Sequence, residues 1–240
     1  MDTIKLTDKK QVRMIAHRGV SSLEIENTNA AFIAAGNRSY YGIESDVYVT
    51  RDKKFIMHHD QTTLNLSGEE HVITETDFDT LRSLKLVHPW WGIERIDQRL
   101  ASLDEYLSTC VRYEKKAILE LKAWYTEEDA GMLCEEIKRC GALDNVVFIS
   151  FVMENLLYVR KYLPEQPAQF LTVEFSDELL DTLVGNKMDL DILFTAVTKE
   201  WVDKCHERGI EVNVWTVDDP EVANRMIECG VDYITSNRLE

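Results

Sequence analysis

The chain has 240 residues, of which 45% are hydrophobic and four are proline, enough to bury one large α/β core or two small ones. Its 43 acidic residues against 27 Lys and Arg give a formal net charge of -16, which argues against nucleic acid or an anionic membrane surface as a partner, since both demand basic patches. No apolar run approaches the roughly 20 residues that cross a bilayer, and MDTIKLTDKKQ carries no leader pattern, so a cytosolic protein with no membrane insertion is expected. The five cysteines form no CxxC pair and read as reduced, mostly buried small hydrophobes.

In chain order, short β-type runs alternate with helical patterns. A strand at Met14 to Ala16 is followed by an alanine-rich helix from Asn29 to Ala35, with Asn27 or Thr28 as its N-cap and Gly36 as its stop. A second strand, Ile43 to Val49, is answered by a return strand, Phe55 to Met57, that delivers His58, His59 and Asp60. Residues 61–101 break the rhythm and read as a small insertion, with an aromatic cluster at Trp90-Trp91, placed over the mouth of the fold. From Ser102, which has Glu105 at capping-box spacing, the alternation resumes. The strands Ala117 to Leu121, Val146 to Phe151, Gln169 to Val173, Leu190 to Phe194, Val212 to Thr216 and Asp232 to Thr235 then alternate with helices. Eight strand-like runs separated by helices predict a single (β/α)8 barrel over residues 1–240 with an insertion after its second strand; a doubly wound open sheet is the alternative.

Charges stand where a core strand has no use for them. In the second strand Glu44 and Asp46 alternate onto one face, and two carboxylates held that close repel unless a cation lies between them or one takes a proton. The same inventory repeats at the ends of other strands: His17 and Arg18 after the first, His59 after the hairpin, Glu120 and Lys122 in AILELKA, and Trp215 in VNVWT. In a barrel these ends converge on one mouth. Taken singly, each has a plainer reading: Glu44 with Asp46 as a solvated edge, Glu120 with Lys122 as a surface ion pair, His17 as a capped strand end. His58 and His59 are neighbours in an extended segment, so only one can face the mouth, and His59 is the expected one.

These residues carry a family resemblance. HRG at His17 to Gly19, ENT at Glu26 to Thr28 followed by Ala31-Phe32, the E-x-D-V of Glu44 to Val47, and His59-Asp60 match in order and spacing. So do SLDEYL, the E-x-K of Glu120 to Lys122, Ser150-Phe151, WTV at Trp215 and the closing GVDYIT. The chain resembles glycerophosphodiester phosphodiesterases of the short bacterial type. Two departures stand out: Ile25 in place of the family's proline before ENT, and Ser236-Asn237-Arg238 in place of a Thr-Asp-x-Pro-like ending. The resemblance implies a (β/α)8 fold, a divalent cation, and hydrolysis of a small-molecule glycerophosphodiester to sn-glycerol 3-phosphate and an alcohol.

Such chemistry suits these side chains. Attack at phosphorus builds negative charge on the equatorial oxygens, and the leaving alkoxide needs a proton. Glu44, Asp46 and Glu120 offer hard oxygen ligands for Mg2+ or Ca2+, with Glu26 a further ligand or an orienting partner of Arg18. Arg18 and Lys122 can grip phosphate oxygens, Trp215 can wall the substrate, and His17 and His59, titrating near neutrality, are the candidate base and acid. Two other readings stand beside this one: a lysophospholipase D-like phosphodiesterase, and a non-catalytic barrel that binds glycerol phosphates.

Overall fold

The computed structural model describes residues 2–87 and 92–240; the Trp90-Trp91 cluster lies outside them. The chain opens with β1 (Arg13–Ala16), α1 (Asn29–Gly36), β2 (Gly42–Val49) and β3 (Phe55–Met57). The insertion contributes α2 (Leu64–Ser67), α3 (Phe78–Ser83), β4 (Leu86–Val87) and β5 (Glu94–Arg95). There follow α4 (Leu103–Arg112), β6 (Lys116–Leu121), α5 (Glu127–Arg139), β7 (Val146–Ser150) and α6 (Met153–Tyr162). The last part holds β8 (Ala168–Thr172), α7 (Asp177–Asn186), β9 (Asp189–Leu193), α8 (Lys199–Glu207), β10 (Val212–Trp215), α9 (Pro220–Cys229) and β11 (Tyr233–Ser236).

Eight of the strands run parallel in the order β1-β2-β6-β7-β8-β9-β10-β11, and β1 pairs with both β2 and β11. That double pairing closes the sheet and excludes the open doubly wound alternative: the fold is a (β/α)8 barrel. Closure leaves the eight parallel strands without a free edge along their paired lengths, and β3 lies antiparallel to the end of β2 that extends past β1. Strands such as KAILEL are buried on both faces because helices cover the outside. The largest apolar cluster fills the space between barrel and helices, while Ile15, Ile118, Ile149 and Leu171 pack the interior. Local sequence sets the helix ends: Thr28 caps α1, Ser102 with Glu105 and Thr126 with Asp129 form capping boxes on α4 and α5, and Asp219 with Pro220 starts α9.

Described residues of the insertion pack beside the barrel rather than forming a core alone. Leu66, Ile73, Leu81, Leu84, Leu86 and Leu100 share an apolar cluster with Tyr48 and Ile56 of the hairpin. The segment thereby gains a buried face by borrowing the side of β2 and β3 that carries Tyr48 and Ile56, the same side of β2 as Glu44 and Asp46.

Candidate active site

The first strand leaves the barrel through a tight corner. Arg18 and Gly19 both take positive φ, +53° and +79°, and a Cβ on Gly19 would come within 2.6 Å of the Ala31 backbone. The corner therefore needs glycine, and it turns Arg18 inward. The Arg18 backbone N–H donates to Glu44 Oε2 at 2.9 Å, and its Nη1 donates to Glu26 Oε1 at 2.9 Å. Its Nε lies 3.7 Å from Asp46 Oδ2.

Asp46 and Glu120 occupy the same register on adjacent strands β2 and β6, and Glu44 shares their face. One oxygen from each of the three lies within 4.8 Å of the others. Lys122 sits 2.9 Å from Glu120 Oε1 and 3.5 Å from Asp46 Oδ1, while Asn27 Nδ2 donates to Asp46 Oδ2 at 2.9 Å. Burial and then the Asp46 charge push Glu120 up to about 7, against the pull of Lys122. Burial and the same neighbour push Glu44 well up. For Asp46 the burial cost is outweighed by Lys122 and Arg18, which hold it down at about 2. Like charges this close cannot all ionise without more positive charge among them. A divalent cation fits this donor set: three hard oxygen ligands, and an Asp46 Oδ1 that is buried and accepts no hydrogen bond. Glu26 stands outside the trio, with its carboxylate on Arg18.

Beside the trio a cavity of about 100 Å³ opens at the C-terminal ends of the strands, lined among others by His17, His59, Glu44, Glu120, Asp191 and Trp215. Arg18 Nε, Asp191 Oδ1 and Trp215 Nε1, on residues that line it, are buried and unpartnered. So many unsatisfied polar atoms around one hollow mark a ligand site. His17 is held by Asn237 Oδ1, 2.8 Å from Nδ1. Burial first, then the Arg18 charge, pull it down to about 4, below the near-neutral titration its residue type suggests. His59 stands partly exposed at the mouth with Nδ1 2.8 Å from Asp60 Oδ1. Trp215 meets Phe151 edge to face at 5.5 Å. The structure thus brings His17, His59, Arg18, Lys122, Glu44, Asp46, Glu120 and Trp215 to one end of the barrel.

Sequence reasoning missed Asp191, Asn237 and Asp218, and took Phe151 only as part of a motif. DLDIL repeats the alternation that betrayed Glu44 and Asp46, so Asp191 had a readable cue. Asn237 and Asp218 had none beyond the departure at the chain's closing motif.

Fold and side chains together define a barrel with a cation-ready acidic mouth flanked by Arg, Lys and two imidazoles. Residues 17–240 match the Glycerophosphoryl diester phosphodiesterase family. The glycerophosphodiester phosphodiesterase of Caldanaerobacter subterraneus subsp. tengcongensis is 27% identical over 236 residues, 95% of this chain and 94% of that one. A glycerophosphodiester phosphodiesterase from Parabacteroides distasonis superposes with a TM-score of 0.79 at 28% identity, covering 96% of this chain and 94% of the other. An Oleispira antarctica phosphodiesterase, solved with the product sn-glycerol 3-phosphate, superposes with a TM-score of 0.88 at 22% identity, covering 94% and 93%. The chain belongs to the glycerophosphoryl diester phosphodiesterase family and is an enzyme of that class. No helix among the described residues is long and apolar enough to cross a membrane.

Proposed function

We propose that the protein hydrolyses glycerophosphodiesters to sn-glycerol 3-phosphate and an alcohol, in a reaction that depends on a divalent cation, Mg2+ or Ca2+, and uses His17 and His59 for proton transfer. The observation that carries this reading is the convergence of Glu44, Asp46 and Glu120 within 4.8 Å beside a small cavity lined by both imidazoles. When bound by the three carboxylates, the cation supplies charge neutralisation and polarises a phosphoryl oxygen. Arg18 and Lys122 hold the non-bridging oxygens. His17, buried and neutral at pH 7, accepts the proton of the attacking oxygen, which belongs to water or to the substrate's glycerol hydroxyl; if the glycerol hydroxyl attacks first, water then opens the cyclic phosphate. His59, braced by Asp60 at the open side, gives a proton to the leaving alkoxide. Trp215 walls the glycerol moiety, and the alcohol end points out of the mouth. Residues 1–240 act as one unit, with the insertion 61–101 over the mouth limiting access, and the five free cysteines support a cytoplasmic setting.

The test is product analysis on glycerophosphocholine, glycerophosphoethanolamine and glycerophosphoglycerol with Mg2+, Ca2+ or chelator. The expected result is sn-glycerol 3-phosphate from each diester with a cation present and none with chelator. Phosphocholine as product, or full activity in chelator, would overturn it.

A second reading, lysophospholipid cleavage, draws on exposed apolar side chains that follow three successive barrel strands: Trp124 after β6, Phe151 after β7 and Val173 after β8. The first reading expects glycerophosphocholine to win a direct competition against long-chain lysophosphatidylcholine held below its micellar concentration. Preference for the lysolipid would move the enzyme into the phospholipase D-like class.

A further inference from the structure

His17, Asn237 and Asp218 form a chain of hydrogen bonds whose polarity is fixed from its far end. Asp218 Oδ1 accepts from the Asn237 backbone N–H at 2.8 Å and from Ser236 Oγ at 2.9 Å, so this oxygen is pinned between two donors. Its other oxygen, Oδ2, lies 2.5 Å from Asn237 Nδ2. A carboxylate only accepts, so the Asn237 amide must turn its NH2 toward Asp218 and its Oδ1 toward His17. Ser21 Oγ also donates to that Oδ1, at 2.6 Å. An acceptor 2.8 Å from His17 Nδ1 requires a proton on Nδ1. In the neutral ring the lone pair then falls on Nε2, the nitrogen on the Glu44 side, 3.9 Å from Glu44 Oε2.

We propose that Asp218 and Asn237 are positioning residues that lock His17 in the Nδ1–H tautomer and so aim an unprotonated Nε2 into the site. Neither touches the cavity's contents; both act through His17. The inference rests on the proposed role of His17 as a base, but the tautomer itself can be read without turnover.

Asp218→Asn is the informative change. Its oxygen stays with the Asn237 N–H and the Ser236 hydroxyl, so its new NH2 must face the Asn237 side chain. That amide then flips, presents NH2 to His17, and favours the opposite tautomer. Adding Asn237→Asp restores an acceptor toward His17 and an acceptor toward the new amide at 218. The double change therefore restores the original tautomer with the charge moved one residue inward.

The test uses the full chain with 15N-labelled histidine, reading the His17 tautomer by long-range 1H–15N correlation, alongside kcat, KM and melting temperature. The expected result is Nδ1–H in the wild type, the reverse in Asp218→Asn, and Nδ1–H again in the double variant. With it, kcat should fall on the order of 10² to 10⁴-fold in the single variant and recover at least tenfold in the double, with KM and melting temperature little changed. An Nε2–H wild type, or a double variant no better than the single, would overturn the proposal. If the wild type instead shows Nδ1–H yet hydrolyses no glycerophosphodiester, the lock stands and the functional reading fails.

Discussion

His58 and His59, adjacent in sequence, leave the hairpin on opposite sides. The first is buried with Nε2 3.0 Å from the Thr62 carbonyl; the second lines the cavity and pairs with Asp60 at 2.8 Å. Just past the end of β3 the two rings part, and the proposed assignment makes His58 structural and leaves His59 for proton transfer.

Replacing each with alanine should separate the two roles. His59→Ala is expected to lower kcat/KM by on the order of 10² to 10⁴-fold with little change in melting temperature. His58→Ala should remove a buried hydrogen bond, costing roughly 1 to 3 kcal/mol of stability, and keep near-wild-type kcat below its melting range. Equal inactivation of two equally folded variants would refute the assignment.

The opposed carboxylates of Asp46 and Glu120 predict a pH-dependent penalty in cation-free protein. Glu120 sits at about 7 in the fold, above the value near 4.3 typical of an unfolded chain. The folded state then holds a proton that the unfolded state releases, so the contribution of Glu120 to stability is fully present below about pH 4 and is lost as pH rises from about 4 to 7. Glu120→Gln should therefore melt several degrees higher than wild type at pH 8 in chelator, and at about the same temperature at pH 4. Mg2+ or Ca2+ should raise the wild-type melting temperature at pH 8 and do so far less in the variant. An unchanged or lower melting temperature for the variant at pH 8 would mark Glu120 as structural.

A second group with the same sign lies at the opposite end of the barrel. Burial, with the charges of Glu211 and Asp232 behind it, lifts Asp189 to about 6, even though Asp189 Oδ1 accepts from the Glu211 N–H at 2.9 Å. The folded pKa again exceeds the unfolded one, so the contribution of Asp189 to stability is lost between about pH 4 and 6 and the penalty persists above. Asp189→Asn keeps the acceptor and removes the charge. It should stabilise the protein at pH 7.5 by up to about 3 kcal/mol and have no effect at pH 4. Thermal melts at both values check this, and a gain of equal size at both would show that charge is not the cause.

Arg18 and Lys122 should differ in what their loss costs. Lys122 neutralises Asp46 and Glu120 as well as facing the mouth, so Lys122→Met should weaken catalysis and also change cation affinity. Arg18→Lys keeps a charge but gives up the planar fork, and should lose at least tenfold in kcat/KM. Calcium titration by calorimetry separates them: an unchanged Kd in Lys122→Met would place that lysine on the substrate alone.

The barrel was legible because its strands carry their own punctuation. Apolar runs of three to seven residues, a capping box at Ser102, and turn residues between them leave few other arrangements. The carboxylate trio was legible for a related reason: Glu44, Asp46 and Glu120 break an apolar pattern at the period of a strand. What could not be read is whatever depends on three-dimensional neighbours. The depressed titration of His17 comes first from burial and then from the Arg18 charge, and the burial is something no local pattern encodes. Asn237 and Asp218 look like ordinary loop polars until β11, lying beside β1, brings Asn237 to His17 and β10 brings Asp218 to Asn237. The insertion reads as too polar to bury its own core because its few apolar residues complete their cluster only on Tyr48 and Ile56 of β2 and β3.

The contact between His17 and Asn237 spans 220 positions of sequence. Between them the chain must complete every βα unit, because β1 meets β11 only when the sheet has gone full circle. Contacts of that span carry the largest loop-closure entropy and cannot be rewarded until the intervening structure is in place. A half-built barrel can therefore hold helices, a hydrophobic core and even the Glu44, Asp46 and Glu120 cluster while its first imidazole has no anchor. During refolding, recovery of turnover would lag behind recovery of helical signal, and the delay between them would time the moment the ring shuts.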